Sequence, residues 1–294
     1  MPTLLSLGHG YCASAFARLL LARGWRVVGT ARSPERLGEI AATGVEARAW
    51  PGPGSDSGLR DAFDAATHLL TSVAPDAAGD PVLRLLGEEV ARAAPRLLWA
   101  GYLSTTGVYG DRGGGWVDEG SELRPATERG RWRVAAEAAW RAVPRLPLHV
   151  FRLAGIYGPG RGPFAKVRGG TARRVVKDGQ WFSRIHVEDV AQVLLASTLR
   201  PNPGAVYNLC DDDPAPPQDV IAHAAELLGL PPPPLVPFAE AEMTPMARSF
   251  YAESKRVRNG RIKEELGVRL LHPDYRAGLA ALLAEDGGAG PGEA

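Results

Sequence analysis

A glycine-punctuated turn, Gly8-His9-Gly10-Tyr11-Cys12-Ala13, sits between an apolar run, Thr3–Leu7, and a stretch, Ala13–Ala22, with small and apolar residues at helical spacing. That placement turns a loose G-x-G-x-x-A pattern into a strong constraint. Gly8 permits the tight turn, and Gly10 lets the backbone approach a pyrophosphate. Tyr11 and Cys12 open the helix whose N-terminus faces that anion, and Ala13 lets helix and strand pack closely. A dinucleotide-binding βα unit is the expected result.

Further elements repeat the alternation. Arg26–Thr30, Val45–Trp50, His68–Val73, Leu97–Leu103 and Leu148–Leu153 read as strands. Helical patterns at Pro34–Ala42, after Asp80-Pro81, and at Val134–Val143 separate them. Strands alternating with helices imply right-handed βαβ units and a parallel sheet. The fold class is therefore α/β, a Rossmann-type doubly wound sheet with a smaller C-terminal substrate lobe. We expect the nucleotide-binding domain over 1–158, with 185–211 (helix Val187–Leu199, strand Val206–Cys210) returning to it. A lobe with helices at Val220–Leu228 and Asn259–Leu266 is expected over 159–285, and a disordered tail over 286–294.

The end of the second strand bears on which dinucleotide binds. An NAD site places an acid there for the ribose 2′-hydroxyl. Here the chain reads Val28-Gly29-Thr30-Ala31-Arg32-Ser33, with no acid. Arg32 and Ser33 offer a cation and a hydroxyl to a 2′-phosphate, which favours NADP over NAD. Ser72, Val73 and Ala74, at the end of the fourth strand, are expected beneath the adenosine half. His9 reads as a solvent-facing loop residue, and Cys12 as a packing residue.

Bulk composition excludes other classes. Lys+Arg number 34 against 33 Asp+Glu, so nothing global favours nucleic acid or a membrane surface. Two cysteines cannot make a disulfide framework, and no secretory leader or membrane-length apolar run is visible. A cytoplasmic protein is expected. No metal site is expected, and a homodimer is an open assembly. Between Arg161 and Arg184 lie seven cations and the single acid Asp178, which points to an anionic small-molecule substrate. The charged, glycine-rich loop Asp111–Pro125 is a candidate lid.

Three segments carry a family resemblance. Ser104-Thr105-Thr106-Gly107-Val108-Tyr109-Gly110, Phe151-Arg152-Leu153-Ala154-Gly155-Ile156-Tyr157-Gly158-Pro159 and Arg184-Ile185-His186-Val187-Glu188-Asp189-Val190 resemble the extended short-chain dehydrogenase/reductase superfamily, which includes NAD-dependent epimerases and dehydratases. The likeness spans roughly residues 3 to 270 and is nearest an atypical oxidoreductase branch. It implies a catalytic Ser/Thr, a Tyr and a Lys, the last two as Y-x-x-x-K. Thr105 matches the first. Aligning the family's following Glu on Glu137 puts Arg129 on the tyrosine position and Arg133 on the lysine position. Gly155 stands where sugar-nucleotide members often carry Asn. In the family, tyrosine moves a proton as hydride moves to or from carbon. Arginine stays charged and serves instead as a clamp for an anion or oxyanion. Tyr102, Tyr109 and Tyr157 stand as candidate proton donors. His186 is expected to bond a neighbouring loop, and Asp189 to hold the start of its helix.

Three readings follow. One is an NADP-dependent oxidoreductase acting on a small anionic carbonyl or alcohol. Another is an epimerase or dehydratase. The third is a non-catalytic NADP-binding sensor, because both positions of the Tyr-Lys pair are changed.

Overall fold

The computed structural model describes residues 1–51 and 56–288. Seven parallel strands form the central sheet. Five come from the chain up to Thr105: β1 (Thr3–Leu7), β2 (Arg26–Ala31), β3 (Glu46–Ala49), β4 (His68–Thr71) and β5 (Trp99–Thr105). Leu148–Leu153 and Val206–Leu209 complete it, and the order from that edge is 206–209, 148–153, β5, β4, β1, β2, β3. The chain winds from β1 through β2 to β3, then restarts at β4 on the other side of β1. A crevice therefore opens beyond the carboxyl ends of β1 and β4, the topological switch point where such sheets bind ligands.

Both faces of the sheet are covered. On one face α1 (Tyr11–Leu21) and helix Val187–Leu199 bury Phe16, Leu20, Val190 and Leu194 against the strands. On the other, α3 (Asp56–Ala65), α4 (Pro81–Ala93) and α5 (Glu128–Arg141) bury Phe63, Val82, Val90 and Trp140. α2 (Pro34–Ala41) flanks β2 and β3. Strands sandwiched this way are apolar on both sides, and β1 is buried at all five residues. A separate cluster of Phe164, Val167, Val220, Ala224, Tyr275 and Leu279 forms the core of the smaller lobe.

Some boundaries differ from those expected. α5 starts at Glu128, six residues before Val134, because the Thr127 hydroxyl accepts the Gly130 N–H at 3.1 Å and caps it there. Helix Tyr275–Gly288 lies where no helix was expected, and it includes Asp286, first residue of the expected disordered tail. Residues 289–294 of that tail lie outside the described residues, as do Gly52-Pro53-Gly54, which the sequence marks as turn-rich.

Candidate functional site

The glycine turn is built as a cradle. Gly8 has φ +74°, and its N–H donates to the Thr30 hydroxyl at 2.8 Å, which ties the turn to β2. A Cβ on Gly8 would lie 2.8 Å from the Val73 side chain. The Ser72 hydroxyl donates to the Gly8 carbonyl, which also accepts the Gly10 N–H at 2.7 Å. Gly10 caps α1 and no side chain caps the helix in its place. A Cβ on Gly10 would meet nothing nearer than 3.8 Å and would project into the cleft that this residue lines. An uncapped helix N-terminus behind open space is what an anionic pyrophosphate requires, so these residues fit a dinucleotide. Cys12 and Ala13 pack in the core beneath it. Val73 is half-buried and Ala74 exposed, both just beyond the end of β4.

His9 does not face solvent. It is buried above Gly29, where a Cβ would come within 2.8 Å of the imidazole, and burial pushes its pKa down to about 4. Arg32 and Ser33 are both exposed at the end of β2, and the Ser33 hydroxyl accepts the Arg36 N–H at 3.3 Å to cap α2. Arg36 escaped the sequence reading. Its guanidinium donates to the Ser14 hydroxyl at 3.2 Å and to the His9 carbonyl at 3.4 Å, against the phosphate turn itself. One helical turn separates it from Arg32, and that spacing was the signal that could have found it.

A cavity of about 310 Å³ runs from this turn along the carboxyl ends of β4 and β5. Thr105 and Arg133 line it, as do Tyr11 and Arg161. The Thr105 hydroxyl oxygen accepts the Gly107 N–H at 3.1 Å, which leaves its own proton free to donate. Arg133 donates from Nη1 to the Tyr102 hydroxyl at 3.0 Å and to the Leu103 carbonyl at 2.8 Å. Arg161 stacks on the Tyr11 ring, and the Tyr11 hydroxyl donates to the Pro159 carbonyl at 2.9 Å.

The other expected catalytic residues lie elsewhere. Arg129, in the first turn of α5, is exposed and does not line the cavity. Tyr109 is fully buried. Its hydroxyl donates to Asn208 at 2.7 Å and accepts from Arg152 at 2.9 Å, so both its valences are filled inside the protein. Tyr157 is buried beneath helix Tyr275–Gly288, where a Cβ on Gly278 would collide with its hydroxyl. Tyr102 is buried behind Arg133. Burial raises the pKa of all seven tyrosines, to about 12 for Tyr11, Tyr102 and Tyr109. No tyrosine is tuned as the family's proton donor is.

The basic stretch does not form one cleft. Arg161 alone among its cations lines the cavity beside the glycine turn. Arg173 is exposed and donates to the Gly170 and Ala172 carbonyls, and Arg174 lines a separate groove with Asp219, Tyr275 and Arg276. Lys177 donates to the Tyr251 carbonyl, and Arg168 pairs with Asp286. Nor is Asp111–Pro125 a free lid. The Arg112 and Gly114 N–H groups donate to the Ser254 carbonyl at 2.9 and 3.0 Å, and Trp116–Val117 pairs with Arg256–Val257. His186 and Asp189 exchange their expected roles. His186 caps its helix by accepting the Glu188 N–H at 3.4 Å, whereas Asp189 accepts the N–H groups of Leu271 and His272 at 2.6 and 3.0 Å.

Comparison with known proteins agrees with this geometry. No protein-family model matches the chain. A solved structure of a functionally unknown conserved protein from Silicibacter pomeroyi is 62% identical, covers 97% of this chain and 99% of its own, and superposes with TM-score 0.92. A human epimerase family protein, solved with NADPH, is 19% identical over 96% of this chain and 99% of its own, with TM-score 0.74. Its neighbours include further proteins of the epimerase/dehydratase fold. The chain belongs to one family with the Silicibacter protein, and it shares its fold with the epimerase/dehydratase proteins. The Escherichia coli protein YeeZ is 29% identical over 287 residues, 93% of this chain and 97% of its own. Among the described residues no helix is long and apolar enough to cross a membrane. Of the three positions that the sequence resemblance implies, Thr105 and Arg133 line the cleft and Arg129 is exposed.

Proposed function

We propose that the protein is an NADP-dependent oxidoreductase acting on a small carbonyl or alcohol compound that carries an anionic group. The observation that carries this reading is Arg133, a cation in the lysine position that lines the same cavity as Thr105 and the glycine turn. NADPH would lie with its pyrophosphate over Gly8–Gly10 and its 2′-phosphate toward Arg32, Ser33 and Arg36, and it would supply the hydride for carbonyl reduction. The absence of an acid at the end of β2, with two arginines there, supports NADP over NAD. The human relative of this fold solved with NADPH is consistent with that choice.

Thr105 donates its free hydroxyl proton to the substrate oxygen. Arg133 is anchored through Nη1, and its remaining donors hold the developing oxyanion or an adjacent carboxylate. Arg161 extends the positive field at the other end of the cavity. Arginine keeps its proton at neutral pH, so the proton that completes reduction comes from water or from an acidic group of the substrate. The deciding experiment is stoichiometric NADPH oxidation against carbonyl compounds with and without a carboxylate or phosphate. Turnover confined to neutral carbonyls overturns the anionic assignment.

A second reading is supported by the tyrosines. Tyr11 is the cavity's tyrosine, its pKa is raised, and its hydroxyl is already committed to Pro159. A non-catalytic NADP-binding regulator would have this arrangement. Tight NADPH binding with no oxidation across the same panel selects it.

A further inference from the structure

Two imidazoles and a carboxylate meet where the C-terminal segment crosses the first turn of helix Val187–Leu199. Glu188 Oε2 lies 2.8 Å from His272 Nε2 and 3.7 Å from His186 Nδ1. The three donor atoms lie within 4.8 Å of one another, and the imidazole centroids are 3.9 Å apart. Both histidines are buried, while the Glu188 side chain is 39% exposed and opens the cluster to solvent. His186 Nε2 has no partner among the described residues.

The donor geometry suits a small cation. A tetrahedral zinc ion holds nitrogen and oxygen donors at about 2.0–2.2 Å, which sets neighbouring donors roughly 3.3 Å apart. The 2.8 and 3.7 Å separations bracket that value, and an ion at His186 Nδ1 would take the place of the 3.4 Å bond that this atom accepts from the Glu188 N–H. Asp189 supplies an outer support. By accepting the Leu271 and His272 N–H groups it fixes the backbone that presents the second imidazole.

We infer that His186, Glu188 and His272 bind a divalent transition-metal ion of the zinc class, which fastens the C-terminal segment to the nucleotide-binding core. Paired imidazoles select zinc or cobalt over magnesium and calcium. Three protein ligands leave a fourth position for water on the Glu188 side. In sequence the ligands are hidden, because 84 residues separate Glu188 from His272.

The test uses the full chain without a histidine tag, stripped with chelator and titrated with cobalt(II) and then zinc. The expected result is one equivalent per chain, tetrahedral cobalt absorption bands that zinc abolishes, and a raised melting temperature. Glu188→Gln and His272→Gln should each weaken binding at least tenfold. Glu188 is partly exposed, so its variant keeps the test open if His272→Gln fails to fold. His223→Gln, which removes a separate His-Glu pair, should leave the stoichiometry unchanged. The inference is overturned if the wild type takes up no metal, if both cluster variants bind as tightly as wild type, or if only His223→Gln abolishes uptake.

Discussion

The guanidinium of Arg133 donates to the hydroxyl of Tyr102 at 3.0 Å, and the Tyr102 ring behind it is wholly buried. A long cationic side chain is thereby fixed before any ligand arrives, which reduces the entropy that binding must remove. Arg129, four residues earlier, has no such anchor among the described residues and is exposed. The two arginines should therefore separate in experiment. Arg133→Ala removes a charge-assisted contact, on the order of 1.5–3 kcal/mol, so ligand binding or turnover should fall about tenfold to a hundredfold. Arg129→Ala should change neither. NADPH titration by fluorescence and NADPH oxidation read both variants, and equal losses would place Arg129 back in the site.

Arg36 should carry more of the cofactor preference than Arg32. It is held between Ser14 and the His9 carbonyl, whereas Arg32 is exposed. Arg36→Ala should weaken NADPH by about tenfold or more and leave NADH nearly unchanged, since only NADPH carries the 2′-phosphate. Calorimetric titration of both cofactors measures the ratio. An equal loss for both would mean that Arg36 supports only the turn, through its bonds to Ser14 and His9.

Much of the fold was legible because the central strands sit between two helical layers and read as apolar runs, unlike the edge strand β3, Glu46-Ala47-Arg48-Ala49. β1 and Leu148–Leu153 fall on the residues that the sequence marks. Helix α5 was misplaced because Arg129-Gly130-Arg131 looks like a loop. The Thr127 cap and the tight packing of Gly130 against Pro125 and the Gly107 carbonyl make it helical. The phosphate turn was legible in the same local way, since its glycines act through their own backbone. Arg36, the buried tyrosines and the dispersal of the basic stretch were not. Those depend on which side chains meet across separations from 22 to 118 residues, which a linear pattern does not encode.

Glu137 and Arg152 form a bidentate pair at 3.1 and 2.8 Å with both side chains buried, and Ser104 donates to the same carboxylate at 2.6 Å. The pair locks α5 to the strand ends and so sets where Arg133 and Thr105 sit. Removing one partner leaves a buried charge unpaired, a loss of about 3–5 kcal/mol. Glu137→Leu should lower the urea midpoint accordingly, and the double variant Glu137→Leu with Arg152→Met should recover most of the loss. A double variant no better than the single one would show that the remaining network through Tyr109 and Asn208 is what matters.

Gly10→Val tests the cradle directly. A Cβ there meets nothing nearer than the Gly8 carbonyl at 3.8 Å and points into the cleft, so the fold should survive while the branched side chain fills the pyrophosphate's space. Circular dichroism should be unchanged and dinucleotide binding lost. Normal NADPH binding by the folded variant would move the phosphate site elsewhere.

Acid stability follows from four histidines that the fold keeps neutral. Burial lowers the pKa of His9, His68, His149 and His186 from 6.5 to about 4. His149 is wholly buried, stacks on Trp99, and accepts the Asn202 N–H at 2.8 Å. Between pH 6.5 and 4 the unfolded chain takes up protons that the folded chain refuses, so stability falls as pH falls through this window. Each histidine is worth at most about 3 kcal/mol over the full shift. Asp211 acts in the opposite sense. Burial raises its pKa to about 8, so the folded chain holds a proton that the unfolded chain has released, and stability falls as pH rises from about 4 through 8. Four protons against one give a net loss on acidification below 6.5, and Asp211 alone of these five governs the decline above it. Urea midpoints measured from pH 4.5 to 8.5 should therefore peak between about pH 6 and 7. His149→Gln should flatten the acid limb by about one proton, and Asp211→Asn should flatten the alkaline limb. A midpoint that climbs steadily to pH 8.5 in the wild type would show that the Asp211 carboxyl is ionised in the folded protein, held so by the neighbouring Arg184.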